Sequence, residues 1–319
     1  MRVLAFSLFS ICLLLLVLKM AKVDNRSLRF TTVNLKTKIV PTMGWQALKN
    51  VSIMSQNTNS LSLSSADNHN TLLDKFNCKL MAILKNKPDI CLLQDIRIGK
   101  EEGFVKKKLS LNMLGSYSIF SQSLSSNSRG VAIIINNDLN FEVFNIYKST
   151  CNNVIILDIN INGFNFSLGS IYGPLQRDCS SFISHIKKKI SEIANEYFIL
   201  GGDYNAITNM TRPELVNPDL FQTLSIPNPI HSRNLCQWIE EGGAVDIYRL
   251  INPNKNDMSY IPFGETKVNR SRIDLFMVSP NLINAIHKVE YLGNKSTLFD
   301  HKLMCLKFKS PPKSNTKKN

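Results

Sequence analysis

Five separated segments place polar or acidic residues directly after apolar runs. They are Ser55–Leu61 (SQNTNSL) behind Val51–Met54, then Leu92-Leu93-Gln94-Asp95, Ser170-Ile171-Tyr172-Gly173-Pro174, Leu200-Gly201-Gly202-Asp203-Tyr204-Asn205, and the late pair Ser271-Arg272-Ile273-Asp274 and Phe299-Asp300-His301. Together they supply four carboxylates (Asp95, Asp203, Asp274, Asp300), the imidazole of His301, the amides of Asn57, Asn59 and Asn205, and the phenol of Tyr172. That inventory suits phosphodiester hydrolysis. Oxygen ligands hold a hard cation, a carboxylate or imidazole orients or deprotonates water, and donors meet the developing negative charge. Each piece alone is weak, because an Asp after a strand is ordinarily an N-cap or turn former. The signal is the order and spacing of the whole set.

Those segments need rigid elements behind them. Val51–Met54 reads as a strand entering a polar turn, and Thr71–Leu84 as an amphipathic helix through Leu72, Leu73, Phe76, Leu80 and Ile83. Asp89–Leu93 reads as a buried strand. Gly130–Ile135, Asn153–Ile159 and Phe164–Ile171 are β-rich, with Asn162-Gly163 as a hairpin turn between the last two. Phe182–Tyr197 reads as a second amphipathic helix, and Phe198–Gly201 as a strand running into Gly202-Asp203. A helix near Asn234–Gly242, strands near Tyr260 and Ile273–Val278, and a final strand Leu303–Phe308 complete the pattern. Hairpins mixed with helices imply two packed β-sheets with helices outside, in one α/β domain spanning 51–308. Residues 23–50 read as a variable lead-in, and 309–319 as a basic disordered tail rich in Pro and Ser.

Across 319 residues, 38 Lys and Arg stand against 24 Asp and Glu, a formal charge of +14. That balance favours a polyanionic partner, with nucleic acid ahead of an anionic membrane. The seven cysteines form no C-x-x-C pair and none has a His at zinc-ligand spacing, so they read as small core residues. Residues 1–22 carry Arg2 and an apolar run from Val3 to Leu18, which has the shape of a signal-peptide core but no clean cleavage site. A real signal implies secretion, and a membrane becomes a partner only if the segment is a real anchor. A mispredicted start, with Met20 or Met43 as alternatives, leaves a nuclear or cytoplasmic protein.

The ordered set resembles the endonuclease/exonuclease/phosphatase superfamily, which includes DNase I and the apurinic/apyrimidinic endonucleases. More closely it is similar to the endonuclease domain of LINE-type (non-LTR) retrotransposons, in the branch that inserts at specific target sequences. The strings that carry this are SQNTNSL at Ser55–Leu61, GGDYNA at Gly201–Ala206, NRSRID at Asn269–Asp274 and LFDHK at Leu298–Lys302. The resemblance runs from about Val51 to Phe308. It implies a four-layer DNase I-like α/β sandwich and a Mg²⁺-dependent nuclease, with Mn²⁺ also accepted, that nicks DNA to leave a 3′-hydroxyl and a 5′-phosphate.

It also implies roles by position. Asp95 and Asp300 are expected to bind the metal with Asn59 nearby, and Asn57 to orient the site. Asp203 is expected to position or deprotonate the attacking water, with Asn205 on the phosphate. Tyr172 is expected at the scissile phosphate, beside His301 held in its tautomer by Asp274. Ser259 is expected as a supporting hydroxyl.

Three positions depart from the wider pattern: Asp95 stands where Glu is usual, Leu175 where Asn follows the tyrosine by three, and Phe299 where a small residue precedes Asp-His. None removes an indispensable charge. Competing readings are a secreted DNase I-like nuclease, a small-molecule phosphatase or sphingomyelinase of the same superfamily, and an inactive DNA-binding remnant. Asn269-Arg270-Ser271 would put a glycan close to the site, which fits secretion poorly.

Overall fold

A computed structural model describes residues 30–34, 44–61, 78–98, 116–124, 129–175, 181–193, 195–210, 219–221, 226–263, 270–293 and 298–309. The apolar run Val3–Leu18, residues 71–77 of the first expected helix, Asn269 and the tail from residue 310 lie outside them. In chain order the strands are β1 (Phe30–Asn34), β2 (Ser52–Asn57), β3 (Ile90–Gln94), β4 (Tyr117–Gln122), β5 (Val131–Asn136), β6 (Phe141–Ser149), β7 (Val154–Ile161) and β8 (Phe164–Tyr172). They continue with β9 (Phe198–Asp203), β10 (Leu220–Phe221), β11 (Val245–Asp246), β12 (Arg270–Ser271), β13 (Asp274–Val278), β14 (Ile286–Leu292) and β15 (Leu303–Phe308).

Two mixed sheets carry the fold, one of seven strands ordered β1-β6-β7-β8-β9-β13-β11 and one of six ordered β14-β15-β2-β3-β5-β4. Each contains one parallel pair, β8 with β9 and β2 with β3. Side-chain alternation then makes the layers, because successive residues of a strand face opposite sides. Ile53, Leu92 and Ile133 of one sheet meet Leu157, Phe166, Ile199 and Phe276 of the other in the central core. Their neighbours face outward. Cys91, Leu93 and Ile134 pack under Leu80, Ile83 and Leu84 of the helix at 78–84. On the far side Ile156, Leu200 and Met277 pack under Phe182 and Ile186 of the helix Phe182–Ile193 and Leu235 and Trp238 of the helix Pro229–Glu240. Helix, sheet, sheet, helix: this is the expected four-layer α/β sandwich.

Several boundaries differ from the expectation, each for a local reason. β2 runs on through Ser55-Gln56-Asn57, all buried, because its parallel partner β3 continues to Gln94 and its polar side chains find buried partners. Asn162 and Gly163 do form the hairpin turn, at φ 52° and 88°. The helix expected near Asn234–Gly242 starts earlier, at Pro229, whose missing N–H suits a first turn. Tyr260 forms only isolated bridges, to Ser271 and to His301. Within the stretch 23–50, β1 adds an edge strand to β6 and Leu48 is fully buried in the central core. The five cysteines among the described residues are free, and Cys91, Cys236 and Cys305 are buried.

Candidate active site

Strand register brings the chemistry together. Parallel pairing of β8 and β9 sets Tyr172 opposite Asp203, and antiparallel pairing of β9 and β13 sets Asp274 opposite the same Asp203. Two glycines permit that approach: a Cβ on Gly202 would lie 1.9 Å from the Ile171 carbonyl, and one on Gly173 would lie 1.9 Å from that of Tyr204. In the facing sheet, Asn57 sits opposite Gln94, so Asn59 and Asp95 leave that sheet at the same end. His301 precedes β15 by two residues and completes the rim. Asn57, Asn59, Asp95, Tyr172, Asp203, Asn205, Asp300 and His301 line one open cavity of about 340 Å³. That is eight of the ten residues singled out by sequence; Asp274 and Ser259 stand behind the lining.

A hydrogen-bond chain organises the cluster. His301 Nδ1 lies 2.8 Å from Asp274 Oδ2, and its Nε2 lies 4.0 Å from Asp203 Oδ2. Asp203 accepts from the Asn57 amide at 2.8 Å and from the Asn205 backbone N–H at 2.8 Å. Ser259 Oγ accepts from the backbone N–H groups of Ile273 and Asp274, each at 3.0 Å, and so fixes the start of β13. Asn205 differs from the expectation in one respect. Its side-chain Nδ2 already donates to the Gly173 carbonyl at 2.9 Å, which leaves one N–H of that amide for a phosphate.

Burial and neighbouring charge set the protonation states. Burial, with Asp274 alongside, pushes the Asp203 carboxyl up to about 7, against the pull of His301, the Asn205 N–H and the Asn57 amide. Burial by itself would depress His301, but the Asp274 carboxylate and its hydrogen bond outweigh that and raise the imidazole to about 9. The Asp274 contact therefore favours a cationic, donating imidazole, while the Asp203 carboxyl is held above the ordinary carboxylate range. The Tyr172 phenol is raised by burial and by the Asp95 and Asp203 carboxylates, so it remains an O–H donor.

Two sets of groups could hold a cation. Asp203, Asp274 and His301 offer ligand atoms within 4.8 Å of one another, but His301 Nδ1 and Asp274 are already engaged with each other. The second set is Asp95, Asp300 and Asn59. Asn59 Nδ2 donates to Asp300 Oδ2 at 3.0 Å, and Asp300 Oδ1 is buried without a hydrogen-bond partner. A hard cation fits that orphaned carboxylate oxygen, whose partner would otherwise be lost on burial. Asp95 is clamped by Arg97, Nε to Oδ1 at 2.8 Å and Nη2 to Oδ2 at 2.5 Å. Sequence reasoning missed Arg97, although a basic residue two positions after a strand-end carboxylate was there to be read.

The backbone around the cavity is unusual. Asn59, Ser60, Asp95, Arg97 and Asn205 have φ of 41°, 69°, 52°, 46° and 47°. Left-handed geometry outside glycine costs roughly 1–3 kcal/mol per residue and gathers at functional sites.

No protein-family profile matches the sequence. Solved structures do match. An AP endonuclease from Archaeoglobus fulgidus superposes with a TM-score of 0.58 at 17% identity, covering 81% of this chain and 99% of that one. An AP endonuclease from Leishmania major gives 0.60 at 16%, covering 80% and 86%. A 3′-5′ exonuclease from Neisseria meningitidis gives 0.57 at 17%, covering 81% and 99%. At such identities the likeness is one of architecture, and the chain has the four-layer DNase I-like fold that these AP endonucleases and this exonuclease share.

Proposed function

We propose that this protein is a divalent-metal-dependent phosphodiesterase that nicks DNA, leaving a 3′-hydroxyl and a 5′-phosphate. One observation carries the reading: a hydrogen-bonded Asp274–His301 pair, a buried Asp203 between two amide donors, and the unpartnered Asp300 oxygen converge on one open cavity at the ends of both sheets. Asp203, once deprotonated, orients a water and takes its proton, with Asn57 and the Asn205 N–H fixing the carboxylate plane. Cationic His301, held by Asp274, donates towards a phosphoryl oxygen, and the Tyr172 O–H supplies a second donor. Asp300, Asn59 and Asp95 would hold Mg²⁺ or Mn²⁺, which when bound supplies Lewis-acid stabilisation of the charge developing on the phosphate. Asp95 would join through the lone pairs that the Arg97 fork leaves open, one on each oxygen.

DNA as substrate is supported by the charge of +14 and by an open rather than enclosed cavity. A structurally similar 3′ phosphatase from Neisseria is bound to a product DNA hairpin. The retrotransposon affinity rests on SQNTNSL, GGDYNA, NRSRID and LFDHK. Nicking of supercoiled plasmid by residues 23–319, with Mg²⁺ or EDTA, beside Asp203→Asn, tests the reading. Metal-dependent nicking by the parent alone is expected; a folded parent that leaves plasmid intact while trimming a 3′ end or releasing 3′ phosphate overturns it in favour of end-directed chemistry.

A further inference from the structure

The turn that delivers Asn59 to the cavity is held from both sides. Its N–H groups point to the loop carrying Asp95: Thr58, Ser60 and Leu61 donate to the carbonyls of Gln94, Asp95 and Ile96, each at 2.9 Å. Asn59 N–H donates to Asn57 Oδ1 at 2.8 Å. With Asn59 and Ser60 left-handed, the carbonyls of Thr58, Asn59 and Ser60 converge on a single point, occupied by the ammonium of Lys79. Nζ lies 2.6, 2.9 and 2.8 Å from the three oxygens, so all three donors of the ammonium are used. The same Nζ stands 5.6 Å over the ring of Phe299, the residue before Asp300. Lys79 thus touches the segments on both sides of the Asn59–Asp300 hydrogen bond, from a helix none of whose described residues lines the cavity.

We propose that Lys79 is a positioning residue that preforms the cation cradle of Asn59 and Asp300 by pinning the 58–60 turn. The proposal rests on the metal-dependent reading above. It carries a sign that separates it from plain electrostatics. Coulomb's law alone makes removal of a nearby positive charge strengthen cation binding, whereas loss of positioning weakens it. Partners one shell behind metal ligands affect affinity by about 10-fold to 100-fold.

The experiment titrates Mn²⁺ alone, followed by electron paramagnetic resonance, into the parent and into Lys79→Met and Lys79→Ala. Weaker Mn²⁺ binding by about 10-fold or more is expected in both variants. Propylammonium should restore much of it in Lys79→Ala, because three carbons and the ammonium are what that variant lacks; where Lys79→Met fails to fold, this pair supplies the readout. Binding equal to or tighter than the parent's overturns the proposal. So does a loss that propylammonium leaves unchanged, since general destabilisation then explains it. A parent that binds Mn²⁺ but never nicks DNA refutes the nuclease reading while the Lys79 comparison stands on Mn²⁺ alone. A parent that binds no Mn²⁺ overturns both.

Discussion

Two buried charge clusters are built on residues two apart in the chain, Arg272 just ahead of β13 and Asp274 at its start, and they do opposite things. Arg272, fully buried, sits between Asp219 and Asp246 with contacts of 2.7 and 2.6 Å. Arg249 adds a further ion pair to Asp219 at 2.5 Å, Thr208 bridges both carboxylates, and the Tyr248 ring lies 5.4 Å from the Arg272 guanidinium. Two residues on, Asp274 begins the other cluster, where Asp203 and His301 line the cavity and the Asp274 carboxylate stands behind the imidazole. In the first, guanidinium groups meet the carboxylates directly, and Asp219 is held below the usual carboxylate range by Arg272 and Arg249 despite its burial. In the second, Asp203 has no guanidinium and its carboxyl rises. Burial of charge is common to both; what differs is whether a permanent cation closes the account. The closed cluster is a brace, and the open one leaves Asp203 and His301 lining the cavity without a guanidinium to neutralise them.

That contrast can be broken by exchanging the consequences. Asp203→Asn should lower DNA cleavage by about 10²–10⁴-fold with the urea midpoint held or raised, because a costly buried charge is removed. Cleavage within a few-fold of the parent would strip Asp203 of its role. Arg272→Met should do the reverse, costing on the order of 3–5 kcal/mol by leaving two buried carboxylates uncompensated. Unfolding at the parent's urea midpoint would mean the brace carries no stability.

A smaller effect lies in pH. Asp203 and His301 both have raised values, so the folded protein binds more protons than the unfolded chain and loses stability as pH rises. For the metal-free protein Asp203 acts from its ordinary 3.8 up to about 7, and His301 from 6.5 up to about 9. His301→Gln should therefore flatten the decline between pH 6.5 and 9, a change of a few kcal/mol at most. A decline in thermal midpoint that is unaltered by His301→Gln would assign it to other groups. Buried His231, lowered to about 4 by desolvation, has the opposite sign and contributes stability that is lost as pH falls from 6.5 through 4.

Much of this was readable in sequence because strands announce their ends. Each of Asp95, Asp203 and Asp274 directly follows or opens an apolar run, and a parallel or antiparallel partner then needs only correct register to align them. The brace was not readable. Asp219, Asp246 with Arg249 three residues on, and Arg272 belong to three separate short stretches, and only the fold makes them neighbours. Lys79 was hidden for another reason: on a helix it looks like any solvated lysine, and its partners are carbonyls, which sequence does not name. The strand Phe141–Ser149 also escaped notice, since Glu142, Asn145 and Lys148 interrupt the apolar alternation on a half-exposed surface.

One parallel pair in each sheet has a kinetic consequence. Parallel neighbours cannot be joined by a tight hairpin, so the chain must make a long excursion between β2 and β3 and again between β8 and β9. Six side chains of the candidate site, Asn57, Asp95, Tyr172, Asp203, Asp274 and His301, enter from segments spread over most of the folded chain. Loop closure must be completed for both excursions before the last contacts repay it, which places the protein among slow-folding topologies. The candidate site is therefore complete only once the segment carrying His301, just ahead of β15, is in place, and a chain halted before it would have both parallel pairs without the imidazole that joins Asp274 to Asp203.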